Sequence, residues 1–380
     1  MSALTWIDGS NADAERVRRV LALFNRPEAR DELGLGAIRD TLADLLFPGT
    51  STIQTHLRYM LFVPWLYGQI NPRANAVIVA AELRMLEGRL IDALRLCEDE
   101  TGIIGVEAGV KVQRLASEIY WGGLGAWRIR TFGGSQATYH RLRSGLTTPA
   151  WASGLPGMPD KFPEGTTLKL SKAEKAYLHD QIAVLRSHDE PAYLSLVTQH
   201  GSVGADAPWT HPAQARAAAG TQRLLRHARL FSAVMFGATL LYNVLLARAC
   251  EFDDVGEYEQ DFSNWAAGKY QGAEFTANEL QTWSLDELRN VALHPSHKIA
   301  TAAWEFVGQW LALARSDRVR LLRDRSAAKL IILRERQLKK LRARLSEPEA
   351  RAGWGGASGY APLNYRWPLV QQYLADFATT

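Results

Sequence analysis

The sequence predicts a mainly α-helical protein built as two helical domains joined by a Pro/Gly-rich linker. Three observations carry this expectation. Apolar residues recur at three- and four-residue steps, most clearly over 75–98, where Leu83, Leu86, Leu90, Leu94 and Cys97 alternate with Arg84, Glu87, Arg89 and Asp92. Three capping boxes, Ser171-x-x-Glu174, Thr276-x-x-Glu279 and Ser284-x-x-Glu287, place a hydroxyl and a Glu where a first helical turn leaves its donors unpaired. Between 147 and 167, Pro149, Pro156, Pro159 and Pro163 lie among glycines, in a stretch that cannot propagate a helix. The expected division is 1–146, a linker at 147–168, and 169–380.

Taken in order, a helix is expected over Glu15–Phe24 and another over Gly36–Phe47, stopped by Pro48-Gly49. Thr50 or Ser51 can cap a helix from Thr52 to about Gln69, with a kink near Phe62-Val63 because Pro64 follows. The span 102–130 suggests two short helices. The alternation Trp127-Arg128-Ile129-Arg130 suggests a strand, which with the helix around Ile119-Tyr120-Trp121 would make a winged-helix-like element; buried aromatic core is the plainer reading. Beyond the linker, an apolar helix at Phe231–Ala247 would centre the second domain, with Trp304, Val307 and Trp310 packed near it. A basic helix over about 315–345 and a last helix over Leu369–Phe377 follow.

With 47% hydrophobic and 22% charged residues over 380 positions, the chain has the composition of a folded protein large enough for two or three cores. Twelve tryptophans imply extensive indole packing between helices. Cys97 and Cys250 form no CxxC pair, which speaks against a disulfide framework or zinc ribbon and for a reducing compartment. The opening residues do not form a secretory signal. Phe231–Ala247 falls short of the ~20 residues a spanning helix needs and contains Asn243, so a buried central helix is expected. These points predict a cytoplasmic protein with no membrane partner.

Charge is the most informative feature. From Arg315 to Arg344 the chain holds twelve Lys/Arg against Asp317, Asp324 and Glu335, a formal +9 in a chain of net +4. The remainder therefore sums to −5, and cations are concentrated where a polyanion can settle. Arg336, Lys340 and Arg344 step by four, with Lys339 beside them, while Ile331, Leu338, Leu341 and Leu345 make a second face that can bury. Phosphate contacts from such a face give affinity without sequence choice. The competing readings are a solvated helix, or cations satisfied by the chain's own acids such as Glu257, Glu259 and Asp261. Arg58 and Arg366 are secondary candidates. Arg58 lies in a helix–turn–helix pattern over 36–69 that packing alone would also explain, and Arg366 breaks the apolar Tyr365–Trp367 surface.

Catalytic motifs are missing from the sequence: no GxSxG elbow, HExxH or GxxxxGK[ST] loop occurs. His294 and His297 are the one close histidine pair, with Pro295 between them and no Cys or acid at ligand spacing. The stretch Gly355–Trp367 can cradle an anion with backbone N–H groups or serve as a turn that docks the last helix. No cofactor, catalytic residue or metal ligand is assigned.

Several blocks together resemble a bacterial family known only as a domain of unknown function. They are Trp6-Ile7-Asp8, Arg30–Gly34, Arg39-Asp40, the run Asp44-Leu45-Leu46-Phe47-Pro48-Gly49-Thr50-Ser51-Thr52-Ile53-Gln54-Thr55, Arg58-Tyr59, Phe62–Trp65, Ile119–Trp121 and Tyr365–Trp367. The resemblance runs nearly end to end, and the Phe-Pro-Gly-Thr-Ser-Thr block is its most specific part. One departure is that Trp151 is followed by Ala-Ser-Gly before Leu155-Pro156, where the family places a proline sooner. The resemblance implies a setting in anti-phage defence regions beside helicases, and it brings no catalytic residues. The expected function is a non-catalytic component of a bacterial defence complex that binds DNA or RNA by its phosphate backbone. The alternatives are a scaffold recruiting a helicase or nuclease partner, and an unrecognised metal-dependent nuclease.

Overall fold

In a computed structural model, described for residues 31–97 and 101–379, the chain is mainly helical. Among these residues the paired strands are the two-residue segments Arg186–Ser187 and Glu190–Pro191, antiparallel with Arg186 opposite Pro191. The helix expected over Glu15–Phe24 and the Trp6-Ile7-Asp8 block lie outside the described residues. Among the described residues the chain forms two compact units, one holding 31–41 and Arg226–Leu363, the other holding Leu42–Leu225 and 364–379. The proline-rich stretch therefore runs within the second unit. Two side chains distant in sequence pin it there, Trp65 Nε1 donating to the Pro156 carbonyl (2.8 Å) and Arg58 Nη1 to that of Thr167 (2.7 Å), and the backbone of Arg130 forms a β-bridge with that of Trp151.

The first unit is organised on the helix Ala219–Ala249, from Arg226 onward. Its most apolar window is long enough to cross a membrane, yet 89% of that window is buried. Three indoles seal it. Trp265 Nε1 donates to the Ala233 carbonyl (2.8 Å), Trp310 Nε1 to that of Val234 (2.9 Å), and Trp283 Nε1 to His227 Nδ1 (3.0 Å). Each ring buries a large apolar area while its single donor finds a partner. Gly237 makes this approach feasible, since a Cβ there would lie 2.1 Å from the Trp265 ring. Asn243, the polar residue in this apolar span, is fully buried and doubly paired with one backbone unit. Its Nδ2 donates to the Ser358 carbonyl and its Oδ1 accepts from Ser358 N (2.8 and 2.9 Å). The glycine-rich tail is thus a docked segment rather than an open anion cradle.

In the second unit, the helix Tyr59–Gln69 is buried from Tyr59 to Tyr67. It begins seven residues later than expected because 50–58 are spent on turn contacts. Gln54 Oε1 accepts from Ser51 N (3.0 Å), Thr55 N donates to Tyr120 Oη (2.8 Å), and Tyr120 Oη donates to the His56 carbonyl (2.8 Å). A helix buried on all sides offers no groove-reading face, and 127–130 forms only a single bridge, so neither a helix–turn–helix reader nor a wing is built here. Pro64 is accommodated inside the helix, where burial outweighs the missing hydrogen bond. The Phe-Pro-Gly-Thr turn is held by Trp127 Nε1 on the Pro48 carbonyl (2.9 Å), and Gly123 lets it approach, because a Cβ there would meet the Gly49 carbonyl at 2.5 Å. The last helix, Trp367–Ala378, docks on the same block. Asp376 accepts from Leu57 N (2.7 Å) and faces His56 Nδ1 (2.8 Å), and Tyr373 Oη donates to Gln54 Oε1 (3.0 Å).

The helix Ala76–Leu94, capped by Asn75, buries Glu87. Its carboxylate faces Ser117 N at 3.4 Å from both oxygens, and Gln136 links Ser117 Oγ to Tyr67 Oη (2.9 Å each). Burial, with a smaller push from Glu118, raises the Glu87 carboxyl from 4.5 to about 7. Below pH 4.5 both folded and unfolded chains hold the proton and the group costs nothing. Between 4.5 and 7 the unfolded chain ionises first, so stability falls as pH rises, by about 3 kcal/mol once pH exceeds 7. Glu87→Gln is therefore expected to be more stable than the parent at pH 8 and equal to it at pH 4.5 in urea unfolding. An equal difference at both pH values would refute this.

Candidate nucleic-acid interface

The basic run does not form one helix. Thr301–Asp317 ends, a short 3-10 turn spans Arg320–Arg323, and a second helix spans Arg325–Lys339. Asp324 causes the break, since its side chain caps the new helix by accepting from Ser326 N (2.6 Å) and Ala327 N (3.4 Å). The helix stops where Lys340 takes φ 51°, a left-handed conformation that reverses the chain. Buried Glu335 holds the reversal by accepting from Arg344 N and Leu345 N (2.8 Å each), as well as from Tyr242 Oη (2.6 Å).

Six of the twelve cations are consumed by the fold. Arg315 donates to the Leu280 and Trp283 carbonyls, and Arg318 to that of Ala266. Arg320 pairs with Asp317 (3.0 Å). Arg334 is buried, donating to the carbonyls of Leu33 (2.8 Å), Ala302 and Gly34 (3.2 Å each), with its guanidinium over the Phe306 ring. Lys339 and Arg344 both face Glu32, at 3.4 Å each. The other six, Arg323, Arg325, Lys329, Arg336, Lys340 and Arg342, are exposed and form no ion pair among the described residues.

Helical periodicity aligns part of this set. Ala327, Ile331, Arg334 and Glu335 define the buried face. On the opposite side Arg325, Lys329 and Arg336 fall within about 40° of arc and span about 16 Å of helix, with Lys340 just beyond. That is a line of cations on a rigid element, suited to successive phosphates. Beside it Leu333 is exposed, and Leu341, expected to bury, is 85% exposed because the chain has already turned.

The predicted residues are thus dispersed. Arg336 and Lys340 are open to solvent, while Lys339 and Arg344 line a cavity with Glu32. Arg58 is enclosed, its Nη2 on Glu174 (2.9 Å), the carboxylate of the Ser171 capping box. Arg366, at φ 65°, is enclosed by Asp44 and the Thr50 carbonyl. These two arginines hold the second unit together and present no charge for a polyanion. Arg325 and Lys329 were missed, although their i, i+4, i+11 spacing with Arg336 and the Asp324 cap are both visible in sequence. His294 and His297 stand with ring centroids 5.1 Å apart, His294 Nδ1 accepting from Ser296 N (3.2 Å).

Residues 1–380 match the model of a family of unknown function, DUF6361. No curated protein and no solved structure matches the chain.

Proposed function

We propose that this chain, which belongs to the DUF6361 family, binds nucleic acid through its phosphate backbone along the exposed face of the helix Arg325–Lys339. The observation that carries the reading is the row Arg325, Lys329 and Arg336, open to solvent and opposite the buried face, with exposed Lys340 just beyond the helix end. Four point charges without a shaped base-reading surface give affinity independent of sequence. The role proposed is non-catalytic, within a cytoplasmic anti-phage defence assembly beside a helicase; only the resemblance in sequence supports that setting. Labelled single- and double-stranded DNA of unrelated sequences, titrated at 50 and 200 mM salt, tests it. Four neutralised phosphates correspond to roughly a 10²-fold loss of affinity between the two salts. Salt-independent binding, or none at 50 mM, would overturn the reading.

A second reading, a scaffold for an acidic protein partner, is favoured by one observation: Val319, Leu333 and Leu341 are exposed among the same cations. An acidic, apolar peptide would use them, and DNA would not.

A further inference from the structure

We propose that Lys339, Arg342 and Arg344 form a pocket for a phosphate-monoester dianion, which Glu32 occupies as an internal carboxylate competitor. These four residues line a half-open cavity of about 300 Å³ in the first unit. Among the described residues, three cations stand against one carboxylate there, a formal excess of +2. A phosphate monoester carries about −1.5 to −2 at neutral pH with three acceptor oxygens, whereas a backbone diester carries one charge. Charge therefore selects a terminal or free phosphate over an internal one.

Geometry supports displacement of Glu32. Its oxygens lie 3.4 Å from both Lys339 Nζ and Arg344 Nη1, longer than the roughly 2.7–2.9 Å of a tight charge-assisted hydrogen bond. Yet the Glu32 side chain is only 9% exposed. It is a largely enclosed carboxylate faced by two cations, of which Arg344 is fixed by other bonds. Arg344 Nη1 donates to Ser358 Oγ (2.8 Å), and its backbone N–H is fixed by Glu335. Lys339 stands on the last helical turn, and Arg342 is exposed without an ion pair among the described residues. The pocket lies at the C-terminal end of the helix, where the dipole disfavours anions, so recognition falls on side chains rather than backbone.

The pocket does not depend on the cationic row, and the tests separate the two. Inorganic phosphate is titrated into the purified chain by calorimetry at constant ionic strength, without nucleic acid. Glu32→Gln is expected to bind it about five- to tenfold tighter, and Arg342→Ser about fivefold weaker. Arg325→Ser with Lys329→Ser should leave it unchanged. Glu32→Gln should also melt lower than the parent in chloride and gain more from added phosphate, a response that a purely structural carboxylate would not give. A 5′-phosphorylated oligonucleotide is then compared with its 5′-hydroxyl twin. A preference abolished by Arg342→Ser assigns the pocket to nucleic-acid ends, and equal binding assigns it to a small phosphate. Phosphate affinity unaltered by both Glu32→Gln and Arg342→Ser would overturn the proposal. Arg342, being exposed, can be changed without risk to the fold.

Discussion

Arg325→Ser, Lys329→Ser, Arg336→Ser and Lys340→Ser, combined, are expected to lower DNA affinity on the order of 10³-fold at 0.1 M salt. The slope of log K against log salt should flatten by roughly 3.6, because each lost phosphate contact retains about 0.9 of a counterion. The loss should be alike for every sequence, since none of the four side chains is placed to read bases. All four are exposed, and Arg325, Lys329 and Arg336 lie opposite the buried face, so the melting temperature should hold. That separates them from Arg58 and Arg366, whose removal would take an enclosed ion-pair partner from Glu174 and from Asp44 and cost stability instead. Unchanged affinity and slope in the quadruple variant would remove the cationic row from consideration. Binding of an acidic peptide in place of DNA would turn the same face to the scaffold reading.

The second large effect is on stability. Glu335→Ala is expected to destabilise the chain by about 3–5 kcal/mol in urea unfolding. Glu335 has no exposed surface and accepts three hydrogen bonds, from Tyr242 Oη and from the backbone of Arg344 and Leu345. Alanine leaves the Tyr242 hydroxyl buried without this acceptor and takes it from the half-buried N–H groups of Arg344 and Leu345 as well. Glutamine should cost less, because its Oε1 can keep the Tyr242 and Arg344 bonds while its amide nitrogen faces only the Leu345 N–H. The alanine change should abolish the phosphate response, since Glu335 fixes the reversal that brings Arg344 beside Lys339. A loss below about 1 kcal/mol would mean that the turn is held by something else.

What sequence revealed was mostly local. The boxes at Ser171 and Thr276 form in full, and Ser284 accepts from Glu287 N, because each needs only four consecutive residues. Asn75 caps where the amphipathic pattern begins. The basic run was legible as composition but not as geometry. Asp324 counted as one of three acids, whereas in the fold it is a cap that restarts the helix, and the left-handed turn at Lys340 carries no glycine to announce it. Arg58 and Arg366 could not be told from surface cations, because their partners lie 116 and 322 positions away along the chain. The proline-rich stretch looked like a boundary for the same reason: Trp65 and Arg58, which anchor it, come from a distant helix. The cation pocket was illegible because Glu32 lies 307 and 312 positions from the residues it faces.

The bond between Asn243 and Ser358 has a consequence for how the protein is made. The two residues are 115 positions apart. At ribosomal speeds of about 5–20 residues per second, Asn243 waits roughly 6–23 s for its partner. Over that interval a greasy segment with the hydropathy of a bilayer span stands partly uncovered on the nascent chain, and Trp265, Trp283 and Trp310 arrive only in stages. Premature termination ahead of Trp265 would leave that segment without any of its three indoles, a substrate for chaperones and for clumping rather than a shorter working protein.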